Sequence, residues 1–221
     1  MDTEVHGLIG YFRRGAQTGR ERFAITTAAD GARTLRAHCE MWDDELLRDV
    51  TLAIDADYRP LDAFIRLAQH GKFVGSSWFR FGAGFVECEA WTARDGRVSQ
   101  RMDWDGWPIC FGTHSLITDG WHAQHWHGRD PGRLSSPVSS NAANGGTGPL
   151  IATTEFHLAH HSDETVRVAA GEFACRHFSI VFRSYSPIHF WVTGAQHQFV
   201  RMEWDHLDAN YELLEFSEMR R

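Results

Sequence analysis

The chain has 221 residues and a formal net charge of −7, with 22 Lys and Arg against 29 Asp and Glu. A single barrel or sandwich commonly has this length, so we expect one domain over residues 1–221. The acidic balance and the lack of any Lys/Arg run exclude the basic surface that nucleic-acid binding requires.

The N-terminal residues favour a soluble protein. Residues 1–15 carry acids where a signal peptide needs a basic region, and no segment approaches the roughly 20 apolar residues of a membrane span. We therefore expect a cytoplasmic protein without a membrane span. Its four cysteines (Cys39, Cys88, Cys110, Cys175) form no CxxC pair, and we expect them to be free and mostly buried.

The first part of the chain is patterned as strands. Between the apolar runs of residues 4–55, Asp30 and Gly31 form a hairpin signal. Residues 61–71 have apolar spacing that suits either a two-turn helix or a strand, and the neighbouring strands favour a strand. Residues 72–105 predict three further strands, with Asp95 and Gly96 as a second hairpin signal.

Period-two alternation assigns the faces of these three strands. Trp78 and Arg80 share one face of their strand, as do Glu87 and Trp91 of the next. Both faces carry large apolar groups and one also carries charge, which suits a mixed barrel lumen or a solvent-facing side with scattered aromatic residues.

Residues 102–127 concentrate aromatic and imidazole groups, with Trp104, Trp107, Trp121 and Trp126 among four histidines. Indole rings supply rigid apolar walls, and imidazole has an unperturbed pKa of about 6.5. We expect a short helix near 113–127, although a strand is the alternative. In a helix, Asp119 and His122 become i,i+3 neighbours.

Residues 128–149 are rich in Ser, Gly, Asn and Pro and predict a flexible loop. The rest of the chain again alternates like strands. The predicted fold is mainly β, a single antiparallel β-barrel or a strongly curved wrapped sheet with one short helix near 113–127.

A resemblance to a bacterial family supports this fold. The runs VRVAAGEFACRHFSIVFRS and SPIHFWVTGAQHQFVRMEWDHLDANYELLEF resemble the carboxy-terminal half of the DUF3108-like group, and GRERFAITTAADG and VTLAIDADYRPLDAFIRL are similar to its first half. The resemblance implies a single β-barrel related in shape to lipoprotein carriers, and implies no particular chemistry. The histidine-rich residues 114–127 and 157–161 depart from the family pattern.

The leading functional hypothesis is a barrel that encloses a bulky hydrophobic or aromatic small molecule and performs acid/base chemistry of the isomerase or lyase type without a cofactor. The candidate catalytic residues are His122, His125, Asp103, Tyr185 and His177. The candidate ligand-binding residues are Trp78, Arg80, Glu87, Arg101, Trp104, Trp107, Trp121 and Trp126. A cross-strand ion-pair ladder is the structural alternative for Arg80, Glu87, Glu89 and Arg101, and a satisfied core position is the alternative for His177.

Two other functions stay open. The first is a carrier or sensor of a hydrophobic ligand without catalysis. The second is a metalloenzyme that uses zinc or iron, because His122, His125 and His127 together with His157, His160 and His161 offer nitrogen ligands. The predicted site contains no metal, and the sequence predicts no oligomeric state.

Overall fold

The fold is a single antiparallel sheet of fourteen strands, as seen in a computed structural model that describes residues 3–183 and 185–220. The first eight strands run β1 (Thr3–Arg13), β2 (Ala16–Thr27), β3 (Arg33–Met41), β4 (Leu46–Ile54), β5 (Pro60–Gln69), β6 (Lys72–Gly82), β7 (Phe85–Thr92) and β8 (Gly96–Asp103). The other six are β9 (Arg133–Val138), β10 (Ala152–Val168), β11 (Gly171–Val181), β12 (Ile188–Thr193), β13 (Gln198–Trp204) and β14 (Ala209–Arg220).

Two meanders make up the sheet, and the first and last strands join them. Strands β1 to β8 follow one another on one side, β9 to β14 follow one another on the other, and β1 pairs with β14. Thr3 lies directly opposite Arg220 in that pairing. The sheet curls strongly but is not closed, because β8 and β9 are its two edges. The predicted mainly β architecture with one short helix is therefore confirmed, in its wrapped-sheet form.

Residues between β8 and β10 close the gap between the edges from inside. A short parallel bridge joins Gly112 to Val138. The amide of Ile151 donates to Oε1 of Gln100 on β8 at 2.8 Å, and the Ser77 hydroxyl on β6 donates to the carbonyl of Pro149. The middle of the chain thus lies within the curl and contacts both meanders.

The expected loop at 128–149 is corrected in part. Strand β9 lies inside this range and pairs with β10, and residues 136–140 are buried. Proline has no backbone N–H to donate to a neighbouring strand, and β9 tolerates Pro137 because it is an edge strand. The Ser- and Pro-rich composition concealed this strand.

The predicted helix near 113–127 is present and short. Helix α1 (Leu116–Asp119) continues into a 3-10 helix at Gly120–His125, with Ile117, Trp121 and Ala123 buried. No helix in the described part of the chain has the length and apolar character that crossing a bilayer requires.

The predicted alternation of β6, β7 and β8 is confirmed, and it resolves which face is inside. Phe79 and Phe81 of β6 point into the core, as do Val86 and Cys88 of β7. The opposite face is the outer one, where Trp78 is 47% and Trp91 59% exposed. The two Asp-Gly hairpins are also present, and Gly31 and Gly96 have φ angles of 88° and 71° that favour glycine.

Candidate functional site

A cavity of about 320 Å³ lies between the curled sheet and residues 112–144. A space of this size accommodates a small organic molecule. Most of its wall is apolar or aromatic, from Tyr11, Leu116, Phe156, Ile180, Phe182, Met202, Trp204 and Tyr211. Its charged and imidazole side chains are those of Arg13, Asp43, Asp44, Arg48, His114, Asp119 and His122. A mainly apolar wall with several polar groups is typical of a small-molecule site.

The wall is held in place by a buried carboxyl group on β2. Glu21 accepts hydrogen bonds from the Tyr11 hydroxyl at 2.8 Å and the Ser115 hydroxyl at 2.6 Å. It also accepts the backbone N–H groups of Leu116 at 2.8 Å and Ile117 at 3.2 Å. The start of a helix leaves N–H groups without intrahelical partners, and Glu21 supplies those partners from another strand.

A buried arginine on β4 holds two further segments. The Arg48 guanidinium donates to the carbonyl of His114 at 2.6 Å and to that of Asn144. Glu21, Cys39 and Arg48 are cross-strand neighbours on the inner face of β2, β3 and β4. His114 contacts the carbonyl of Ser140 through Nε2 at 3.0 Å, and burial, followed by the charge of Arg48, lowers its pKa to about 4.

Asp119 and His122 lie next to each other in the cavity wall. The Asp119 carboxyl oxygen lies 3.9 Å from His122 Nε2, and the two side chains keep 25% and 12% of their surface exposed. Burial raises the pKa of Asp119 to about 8, with a further increase from Glu21 and a decrease from Arg48. Burial also lowers the pKa of His122 to about 3, assisted by His125.

These pKa values describe the ionisation of the pair near neutral pH. Asp119 is mostly protonated but ionises close to neutral pH, and His122 is a neutral imidazole. His122 Nδ1 is buried and has no hydrogen-bond partner among the described residues. The site therefore contains a carboxyl group with a pKa near neutral pH and a neutral imidazole within reach of the same small volume.

A thiol and a second imidazole lie behind this pair. Ligand atoms of Cys110, His122 and His125 come within 4.8 Å of one another. Three such donors can hold a metal only when the sulfur is a thiolate. Burial raises the pKa of the metal-free Cys110 thiol to about 12, so a metal ion bound at these three donors would displace a proton from the sulfur.

A second histidine cluster lies on the outer face of the other meander. His161 of β10, His177 of β11 and His189 of β12 have ring nitrogens within 4.8 Å of one another. The metal-binding hypothesis from the sequence combined His122, His125 and His127 with His157, His160 and His161. The structure instead divides the histidines between the cavity and this outer face.

The predicted catalytic residues are separated in space. His122 lines the cavity, His125 lies next to it, and Tyr185 lies at its rim, edge-on to Trp204 with ring centroids 5.8 Å apart. Asp103 is exposed at the end of β8, and His177 belongs to the outer cluster.

The predicted ligand-binding residues on β6, β7 and β8 lie outside the cavity. Trp78, Arg80, Glu87 and Arg101 are all on the outer face of the sheet. Arg80 lies 3.6 Å from Glu87, and Arg101 also bonds to that carboxylate. The alternative of a cross-strand ion-pair ladder is therefore confirmed for these three charged residues.

The other four predicted tryptophans do not line the cavity and pack against other parts of the fold. Trp121 is buried edge-on to Tyr58, and Trp107 donates to the carbonyl of Pro60 at 3.0 Å. Trp126 packs against His160, and Trp104 is half-buried against the core. The indole that does line the cavity is Trp204, which the sequence analysis did not select.

Glu21 and Arg48 were also missed, although a signal for both exists. Each falls at an inward position of its strand, in phase with apolar residues two positions away, such as Phe23 for Glu21 and Val50 for Arg48. A charged residue in the apolar phase of a strand indicates a buried charge that needs partners.

Comparison with known proteins supports the fold. No family model and no curated protein matches the chain. A solved structure, a beta-barrel-like protein of the domain of unknown function DUF1849 from Brucella abortus, is similar with a TM-score of 0.58 and 11% identity, over 99% of this chain and 98% of that one. At this identity the likeness concerns the fold alone. The expected β-barrel-like architecture is confirmed, and this match does not single out the DUF3108-like group.

Proposed function

We propose that the protein binds a largely apolar small molecule in the cavity and that Asp119, assisted by His122, moves a proton on it. The observation that carries the proposal is that the Asp119 carboxyl group lies 3.9 Å from His122 in a mainly apolar cavity wall, and that His122 Nδ1 is buried without a hydrogen-bond partner among the described residues. Burial raises the pKa of Asp119 and lowers that of His122. Exclusion of water strengthens the hydrogen bonds and charge interactions that these two groups make with a bound compound.

The pair suits a cofactor-independent isomerisation or lyase reaction on a bulky hydrophobic or aromatic compound. Asp119, in the fraction of molecules in which it is ionised, accepts a proton from a carbon next to a carbonyl group. Neutral His122 donates an N–H hydrogen bond to the carbonyl oxygen, where negative charge develops. Asp119 then gives the proton to a second carbon in an isomerisation, or to the leaving group in a lyase reaction, which restores its starting state without an external oxidant or reductant.

The strand and turn segments that resemble the DUF3108-like group support a carrier-shaped barrel as the scaffold for this chemistry. A carrier without catalysis is the outcome in which the same cavity binds but no proton moves. We therefore separate binding and proton transfer in the test.

Binding is tested by fluorescence titration with anilinonaphthalenesulfonate and by mass spectrometry of small molecules released from the denatured protein. Thr154 lies on the inner face of β10 in the cavity wall, whereas the adjacent Glu155 is exposed. Thr154→Trp fills the cavity and should weaken probe binding at least about tenfold. Glu155→Trp adds the same indole outside and should leave binding unchanged. Equal binding by both variants would place the ligand elsewhere.

Proton transfer is tested by incubating the released compound with the protein in deuterium oxide and following deuterium incorporation by NMR. His122→Ala and Asp119→Asn should each reduce incorporation at least about a hundredfold, while probe binding persists. His127→Ala, an exposed imidazole in the same segment, should retain the wild-type rate. Ligand binding without any incorporation in the wild type would identify a carrier.

A further inference from the structure

We infer that His161, His177 and His189 form a binding site for a divalent transition-metal ion of the zinc class on the outer face of the sheet. Three adjacent strands, β10, β11 and β12, each contribute one imidazole. The site is separate from the cavity and does not depend on the proposed function.

Strand register explains how the three rings meet. Ser179 of β11 lies opposite His189 of β12, and His177 lies two residues before Ser179 on the same face. On β10 the register shifts between His160 and Ser162. A bulge at this point adds one residue and redirects its side chain, which brings His161 onto the face that carries the other two imidazoles.

The ring nitrogens are spaced to bind one metal ion. His177 Nε2 and His189 Nδ1 lie 2.9 Å apart, and the ring centroids of His161 lie 4.7 Å from His177 and 5.3 Å from His189. Zinc–nitrogen bonds of about 2.0–2.1 Å in a tetrahedron place two nitrogens roughly 3.4 Å apart. Small side-chain rotations therefore bring all three nitrogens to one ion, and a fourth position stays open to water.

Neighbouring groups fix the central imidazole. The Trp191 indole stacks on the His177 ring with centroids 4.2 Å apart and planes inclined by 13°. Glu164 accepts from Trp191 Nε1 at 3.0 Å and lies 3.5 Å from His177 Nδ1. A carboxylate behind a ligating histidine sets its tautomer and orientation. Glu164 thus directs Nε2 of His177 towards the other two rings.

The composition of the site favours zinc-class ions. Three imidazoles without a thiolate suit Zn²⁺, Ni²⁺ or Cu²⁺, whereas Mg²⁺ and Ca²⁺ prefer oxygen ligands. The surrounding carboxylate adds a negative charge that offsets part of the charge of the ion.

The test uses the full chain without a histidine tag, treated with a chelator and dialysed. Isothermal titration with Zn²⁺ should show one site per chain, and the melting temperature should rise on addition of Zn²⁺. His177→Ala combined with His189→Ala should weaken binding at least a hundredfold. Glu164→Gln, a positioning variant, should weaken it about tenfold. His157→Ala removes an exposed imidazole from β10 and should leave affinity unchanged.

Cobalt distinguishes this site from the Cys110 group. Co²⁺ bound by three imidazoles gives visible absorption without a thiolate-to-metal charge-transfer band. Appearance of that band, or loss of binding in Cys110→Ala, would overturn the assignment, as would wild-type affinity in the double histidine variant. Melting temperatures measured without metal show whether each variant is folded. His161→Gln removes one metal ligand with a smaller change in side-chain volume, and it should also weaken Zn²⁺ binding.

Discussion

At the scale of single residues, Asp119 has the most informative environment. Burial raises its pKa to about 8 from an ordinary value of 3.8. Between these two pH values the folded protein binds more protons at this residue than the unfolded chain does. The contribution of Asp119 to the free energy of unfolding is therefore fully present below about pH 4 and is lost as the pH rises through about 8.

The variant Asp119→Asn should lack this dependence. We compare the free energy of unfolding of the wild type with that of the variant at each pH. The difference, wild type minus variant, should decrease from pH 5 to pH 8 by at most about 1.4 kcal/mol per pH unit. Urea unfolding at several pH values measures the difference. Thr113→Val alters the same segment without removing a carboxyl group and should give a constant difference. A flat profile for Asp119→Asn would contradict the raised pKa.

At the scale of elements, α1 is too short to be stable alone, because a single turn of helix does not offset its nucleation cost. Its position depends on Glu21 of β2, which accepts the N–H groups of Leu116 and Ile117 and the Ser115 hydroxyl. Asp119 and His122 follow immediately, since Asp119 ends α1 and His122 lies in the 3-10 helix. One carboxyl group thus positions the segment to which we assign the proposed proton transfer.

Glu21→Ala should therefore lower the free energy of unfolding by about 3 kcal/mol or more, because several buried donors lose their acceptor together. Glu21→Gln keeps one acceptor oxygen and should lose less. Urea unfolding measures both, and anilinonaphthalenesulfonate binding should weaken in parallel.

The matched control is Glu89→Ala on the outer face of β7. It removes an exposed carboxylate that pairs with Arg97 at 3.3 Å and should leave the urea midpoint unchanged. Equal midpoints for Glu21→Ala and wild type would show that α1 does not rely on this carboxyl group.

At the scale of the whole molecule, the curl depends on contacts that no local pattern contains. Strands and hairpins were predictable because alternation and Asp-Gly turns are properties of neighbouring residues. The inner face of β6 was not, since Trp78 outside and Phe79 inside are equally apolar in sequence. The inward positions of Glu21 and Arg48 were visible in the alternation of their strands, but most of their partners lie some 66 to 96 residues away.

The candidate site was predictable in the same limited way. The i,i+3 spacing of Asp119 and His122 follows from the short helix that the sequence indicates. Trp204 and Phe182 reach the cavity only because β1 pairs with β14 and brings the second meander round. The outer cluster needed the bulge at His161, which shifts a side chain by one position and leaves no clear trace in the sequence.

The pairing of Thr3 with Arg220 has a consequence for chain connectivity. Since these two positions are neighbours across a ladder, a linker of about six glycine and serine residues can join them, and the order of the two meanders along the chain can then be exchanged. Opening the circularised chain between Arg129 and Asp130, both exposed, should give a permuted protein that unfolds cooperatively and binds the same fluorescent probe. Opening it between Ala37 and His38 would cut β3 within its ladders and should prevent folding.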